Sequence, residues 1–173
     1  IKPIIPRGEY YVSNHTVKPS LVELGSNADY FANEQVSLWG ADAFWNLPHN
    51  PKIQYYMNRK ERFAQIGFYE FIVPMFPQSW LDQQQLDFYK SHLEKNGKST
   101  AVAISMLDIK QPAIWDDDQI ITKHWCLTHY LIDGHHKMYA SETTKKPISM
   151  ISFLNVEESL CSDADIKTLF NYM

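Results

Sequence analysis

Long hydrophobic runs are missing from this chain of 173 residues. No apolar stretch approaches the roughly 20 residues of a transmembrane helix, and no signal-peptide pattern is visible, so we expect no membrane partner. Cysteine is scarce too, because Cys126 and Cys161 have neither the spacing of metal ligands nor the number that a disulfide framework needs. A reduced, cytoplasmic protein is therefore expected.

Clustered positive charge is also missing. The net charge is −4, and residues 67–173 contain 14 of the 20 acidic residues but only 9 of the 16 basic ones. A surface that binds duplex DNA needs grouped Lys and Arg to displace counterions from the phosphates. This charge pattern therefore disfavours nucleic acid as a partner, and the sequence does not indicate an oligomeric state.

Common catalytic signatures are absent from the sequence as well. It contains no HExxH, no CxxC, no paired-carboxylate spacing, no GxSxG nucleophile elbow and no P-loop. These absences exclude the best-marked zinc hydrolases, serine hydrolases and P-loop NTPases. Any functional site must therefore be formed by residues outside these well-known motifs.

Turn and capping residues divide the rest of the chain into short elements. From residue 68 onward the predicted order is strand, helix, strand, strand, helix, strand, helix, which is typical of an α+β or α/β fold with a strand-turn-helix-strand unit at its centre. The predicted bounds are a helix opened by Asn50-Pro51 and closed at Gly67, strands at 68–76, 100–109, 120–132 and 147–156, and helices at 79–96, 135–144 and after Ser162. We predict an aromatic-rich N-terminal extension at 1–67, packed on a core domain at 68–173.

The stretch LIDGHHK at 131–137 is the most informative part of the sequence. A strand ends there in Asp133-Gly134 and a helix begins, and the start of a helix offers unpaired N–H groups and a partial positive charge that favour anions. A glycine permits close approach of a phosphate, while His135, His136 and Lys137 add donors and positive charge. These residues predict a phosphate-binding site.

Two other interpretations of the same turn remain open. Asp133 could be a simple N-cap, with Gly134 serving only the turn geometry and the histidines and lysine lying in solvent. A metal site is disfavoured, because adjacent helical residues point roughly 100° apart and could meet one ion only with help from Asp133 or His129. No resident metal is therefore expected.

Two stretches resemble ParB/sulfiredoxin-like domains. One is HYLIDGHHKMYASETTKKPISMISFL, which has the strand, D-G-H-x-[RK] turn, helix and strand of that family. The other is FIVPMFPQSWLDQQQLDFYKSHLEKNGKSTAVAISML, which is similar to its first strand, Pro-containing loop, helix and second strand. The resemblance covers about residues 68–156 and leaves 1–67 unmatched. It implies an α+β fold with a mixed sheet and flanking helices.

The resemblance implies a nucleotide phosphate held by Gly134, His135, His136 and Lys137. Sulfiredoxins carry a reactive Cys in this turn and partition proteins an Arg-rich version, and neither is present here. Free-serine kinases of the family share the D-G-H form, but they place a catalytic Glu in the loop where this chain offers only Asp82.

Three functions follow from these observations. The first is a nucleotide-dependent phosphotransferase using ATP, ADP or CTP with Mg²⁺, in which Asp133 or Asp82 positions the ion or accepts a proton. The second is a nuclease-like protein with His135 or His136 as general base. The third is a non-enzymatic binding module, in which the aromatic residues of LWGADAFWN, namely Trp39, Phe44 and Trp45, dock a partner. For these three side chains we favour the alternative that they belong to the hydrophobic core.

Overall fold

The computed structural model describes residues 5–32, 54–110, 115–116, 119–120 and 123–171. Nine strands and three helices are defined in these ranges. The strands are β1 (Tyr10–Val17), β2 (Ser20–Leu21), β3 (Tyr56–Phe63), β4 (Ile66–Pro74), β5 (Thr100–Lys110), β6 (Trp115–Asp116), β7 (Gln119–Ile120), β8 (Lys123–Asp133) and β9 (Ile148–Asn155). The helices are α1 (Gln83–Glu94), α2 (His135–Thr144) and α3 (Asp163–Leu169).

Seven strands form one mixed sheet in the order β1-β9-β5-β8-β4-β3-β2, and β6 pairs with β7 separately. The pairs β4–β8 and β5–β9 are parallel, and the other neighbours in the large sheet are antiparallel. The predicted α+β class is confirmed. The boundary at residue 67 stays a prediction, although strands from both sides of it belong to the same sheet.

The sheet curls strongly, so that strands far apart in its order come into contact. His15 of β1 lies 3.3 Å from Glu70 of β4, although β9, β5 and β8 stand between the two strands. At the end of β1, the Lys18 backbone N–H donates to Asn58 Oδ1 in β3 at 2.8 Å. The curl therefore creates a concave inner face, on which side chains from strands far apart in the sheet order come together.

Three hydrophobic clusters hold this arrangement together. Helices α1 and α2 cover one part of the sheet through Leu93 and Met138, and α3 covers another through Ile166 and Leu169. An aromatic cluster packs the early part of the chain onto β4 and β8; its buried members are Val22, Tyr30, Tyr55, Tyr69, Phe71 and Cys126. Trp39, Phe44 and Trp45 lie outside the described residues, so their predicted role is not tested.

Two local predictions are wrong. The predicted helix that closes at Gly67 is instead a strand, β3, from Tyr56. The segment is rich in helix formers, but antiparallel pairing with β4 overrides that preference. The turn between β3 and β4 includes Ala64, which has a φ of 51°. The predicted helix start at residue 79 is also wrong, because 78–80 form a 3₁₀ turn and Asp82 is the N-cap of α1.

Candidate functional site

The candidate site lies where the parallel strands β4 and β8 end side by side. Pro74 at the end of β4 is in register with Leu131 near the end of β8. Parallel strands bring their carboxyl ends to the same edge of a sheet, and such edges are where α/β folds commonly bind ligands. The loop that follows β4 therefore meets the turn that follows β8.

The fold itself requires a glycine at position 134 in that turn. It is the N-cap of α2 and has a left-handed φ of 95°. A Cβ atom placed on it would lie 2.9 Å from the Cβ of Ala101 in β5, which is closer than real Cβ contacts. The glycine is thus required by backbone conformation and packing, whether or not a ligand approaches it.

Asp133 and Lys137 pair with each other across this turn. Asp133 is not the N-cap of α2, so that interpretation is wrong; its Oδ2 instead accepts from Lys137 Nζ at 3.1 Å. The same ammonium donates to the carbonyl oxygen of Thr100 at 2.9 Å. Lys137 is therefore held toward the start of β5, while the Asp133 side chain is 66% exposed.

Both histidines of the turn are acceptors for the loop after β4. His135 Nε2 accepts from the backbone N–H of Met75 at 3.1 Å, and His136 Nε2 accepts from that of Asp82 at 2.9 Å. A nitrogen that accepts a hydrogen bond carries no proton, so the ring hydrogen of each histidine is on Nδ1. Burial also lowers the pKa of His135 to about 4, against the opposing charge of Asp133. The two rings fasten the loop to the first turn of α2.

The sequence-predicted residues thus separate into two groups. His136 and Asp82 are brought together, and Asp82 Oδ1 caps α1 by accepting from the Gln85 backbone N–H at 2.9 Å. Asp133 and Lys137 form the second group. Among the described residues, no acceptor is found for the backbone N–H groups of 135–137, which leaves the start of α2 open.

A cavity of about 590 Å³ lies beside this helix start. Most of its lining is aliphatic and aromatic and includes Tyr56, Val73, Phe76, Leu81, Tyr130 and Leu131. The polar side chains of His135, Gln54 and Gln78 also line it. Phe76 stacks on His135 with ring centroids 3.6 Å apart. This size and lining are typical of a small-molecule pocket.

A second polar group, which the sequence reasoning missed, lies buried on the inner face of the sheet. Glu70 and His129 are both fully buried, and His129 Nε2 is 3.1 Å from Glu70 Oε1. On the other side of the ring, His129 Nδ1 lies 2.6 Å from Ser105 Oγ, which lies 2.6 Å from Ser152 Oγ. A signal existed in the sequence, since Glu70 is an acid inside the apolar run FYEFIV.

The carboxylate of Glu70 is held ionised in this setting. Arg59 Nε donates to Oε2 at 2.6 Å and Asn58 Nδ2 at 2.8 Å. Burial opposes the ionisation of Glu70, but the contacts with His129 and His15 and the charge of Arg59 outweigh it and hold the pKa well below its ordinary value. Burial lowers the pKa of His129, so a neutral imidazole faces a carboxylate.

Comparison with known proteins adds no relative. No family model, no curated protein and no solved structure matches this chain. Within the part of the chain that the structure describes, no helix is long and apolar enough to cross a membrane.

Proposed function

We propose that this chain binds a small molecule with a flat apolar part and an anionic group, and that a nucleotide is the ligand class. The observation that carries the proposal is the cavity of about 590 Å³ next to the open start of α2. A nucleotide offers an aromatic base for the first feature and phosphates for the second. The proposal keeps ATP, ADP and CTP as candidates.

Backbone groups, more than side chains, would bind the phosphates. The N–H groups of 135–137 have no acceptor among the described residues, and a helix start favours anions. His135 and His136 would keep these amides in place through their bonds to the loop. Lys137 would add its charge by exchanging Asp133 for a phosphate oxygen, which the flexible lysine stem permits.

Aromatic side chains would bind the base. Tyr56, Phe76 and Tyr130 line the cavity, and flat rings bury well against such walls. Gln54 and Gln78 also line the cavity, and their side-chain amides could distinguish one base from another. A likeness to ParB/sulfiredoxin-like domains stays a prediction, supported by the strand–turn–helix–strand order of β8, α2 and β9.

A phosphotransferase activity is the finer form of this proposal. Asp133 is the exposed carboxylate at the turn and is suited to hold Mg²⁺ or accept a hydroxyl proton, whereas Asp82 is engaged in capping α1. The nuclease alternative has less support. His136 Nε2 already accepts a backbone hydrogen bond, so this nitrogen is not free to act as a general base.

Calorimetric titration with ADP, ATP and CTP, with and without Mg²⁺, tests the proposal. The variant Val73→Trp fills the cavity, and Val12→Trp is its matched control because Val12 is 61% exposed on β1. We expect the wild type and V12W to bind alike and V73W to lose at least about tenfold in affinity, equal to 1.4 kcal/mol.

Adenosine separates the role of the phosphates from that of the cavity. If the helix start binds phosphate, ADP binds more tightly than adenosine, and added salt narrows the difference. Failure of the wild type to bind any of the nucleotides, or equal binding by V73W, would overturn the proposal.

A further inference from the structure

The inner face of the curled sheet brings together two imidazoles and a carboxylate. His15 from β1, Glu70 from β4 and His129 from β8 each offer one ligand atom, and all three atoms lie within 4.8 Å of one another. We propose that these three residues form a binding site for a divalent transition-metal ion of the zinc class. The proposal is independent of the nucleotide proposed above.

The distances between the donor atoms fit a shared ion. Glu70 Oε1 is 3.3 Å from His15 Nε2 and 3.1 Å from His129 Nε2. Two ligands on a tetrahedral ion, each bound at about 2.0–2.1 Å, are separated by roughly 3.3 Å. Small side-chain shifts would therefore bring the three atoms to bonding distance, and two His with one Glu is a ligand set that zinc uses.

An unsatisfied polar atom points to the same place. Among the residues that the structure describes, none is a hydrogen-bond partner for the buried Nε2 of His15, which lies near Glu70 Oε1 without the alignment of a hydrogen bond. A buried nitrogen without a partner costs free energy unless something binds it. A metal ion between His15 and Glu70 would satisfy it.

The residues around the three ligands support the metal-binding orientation. His15 Nδ1 lies 3.3 Å from Ser13 Oγ, and His129 Nδ1 lies 2.6 Å from Ser105 Oγ. Ligating histidines usually donate their other N–H to an oxygen, which fixes the ring and its tautomer. Each ring here has a serine hydroxyl on Nδ1 and turns its Nε2 toward Glu70.

The only proton rearrangement that metal binding requires is a tautomer change at His129. Without an ion, Nε2–H donates to Glu70 and Nδ1 accepts from Ser105. With an ion on Nε2, the proton moves to Nδ1 and is donated to Ser105 Oγ, whose own hydrogen turns to Ser152 Oγ at 2.6 Å. The two serines can reverse their direction, so no buried group loses its partner.

The remaining features indicate how the ion would be held and reached. Glu70 Oε2 is occupied by Arg59 and Asn58, which leaves Oε1 as the metal ligand. The His15 side chain is 15% exposed whereas the other two are fully buried, so entry is from the side of β1. Three protein ligands leave one tetrahedral position for water.

The test uses the full chain, free of any histidine tag and stripped with a chelator. Zn²⁺ binding is measured by calorimetry, and Co²⁺ replaces it for visible absorption, because tetrahedral Co²⁺ has an intense d–d band. We expect one equivalent of metal and the tetrahedral band in the wild type.

The variant His15→Gln removes the one ligand that is not fully buried. We expect it to weaken Zn²⁺ binding by about 100-fold or more, since even the loss of a residue behind a ligand costs 10- to 100-fold. His92→Gln is the matched control, because His92 lies on α1 outside the cluster. Ser13→Ala, which removes only the oxygen on His15 Nδ1, is expected to weaken binding about tenfold.

Circular dichroism confirms that each variant is folded, and Ser13→Ala gives an independent test if His15→Gln does not fold. The proposal is overturned if the wild type takes up no stoichiometric metal. It is also overturned if folded H15Q binds as tightly as wild type, if S13A has no effect, or if H92Q is the variant that loses binding.

Discussion

Replacing Gly134 by alanine should destabilise this protein by about 1–4.5 kcal/mol even when no ligand is present. Two structural facts carry the prediction. Gly134 has a φ of 95°, and a Cβ there would lie 2.9 Å from Ala101 Cβ and 3.0 Å from Ala101 Cα. Because Ala101 is fully buried in β5, neither residue can move freely aside.

The magnitude is the sum of three effects. The left-handed conformation costs an L-residue about 1–2 kcal/mol, and overpacking a buried contact costs about 1–3 kcal/mol. Restricting the unfolded chain returns about 0.4–1 kcal/mol, because alanine is less flexible than glycine. The strain and the overpacking therefore dominate, and Gly134→Ala is destabilising.

A double-mutant cycle with Ala101→Gly separates the two costs. Removing the Ala101 methyl relieves the closest contact but leaves the strain at φ 95°. We expect the double variant to be more stable than the sum of the single effects by about 1 kcal/mol. The free energy of unfolding is measured in urea by far-UV circular dichroism, with the denaturant slope checked for constancy.

Two results would refute this reasoning. A cost below about 0.5 kcal/mol for Gly134→Ala would mean that the turn does not have the described conformation. Strict additivity in the cycle would mean that Ala101 does not oppose a side chain at position 134. After either result, close approach of a ligand would be the better explanation of why residue 134 is a glycine.

Three further predictions concern charge and capping. Burial lowers the pKa of His124 and His135 to about 4, so below pH 6.5 the unfolded chain binds protons that the folded chain does not. The free energy of unfolding, measured in urea, should therefore fall by about 3 kcal/mol per histidine between pH 7.5 and pH 4. A free energy of unfolding that does not change over this pH range would contradict the prediction. Asp82→Ala should cost about 1 kcal/mol by urea titration, and Asp87→Ala, an exposed control in the same helix, a few tenths. Glu70→Gln should cost about 3 kcal/mol, because it removes a fully buried charge that accepts from Arg59, Asn58 and His129. A drop in melting temperature of only a degree or two would argue against the buried network.

Local signals in the sequence were sufficient for several elements. The helix at 135–144 has the predicted bounds, and α3 begins after Ser162 as predicted, where Ser162 and Asp165 form a capping box. Such elements are marked by caps and periodicity within a few residues. β3 shows the limit: its Met, Arg, Lys and Glu favour a helix, but pairing with β4 decides the outcome, and that pairing is a tertiary interaction.

The sequence by itself determined that 131–137 ends a strand and begins a helix, and that the chain has an α+β class. Only the tertiary structure decided what the residues do there. Parallel pairing of β4 with β8 turns His135 and His136 into acceptors for a loop about 60 residues earlier. Curling of the sheet brings β1 to β4 and so assembles the His15 and Glu70 cluster. Contacts between distant segments depend on register and sheet curvature, and neither is encoded in any short stretch of residues.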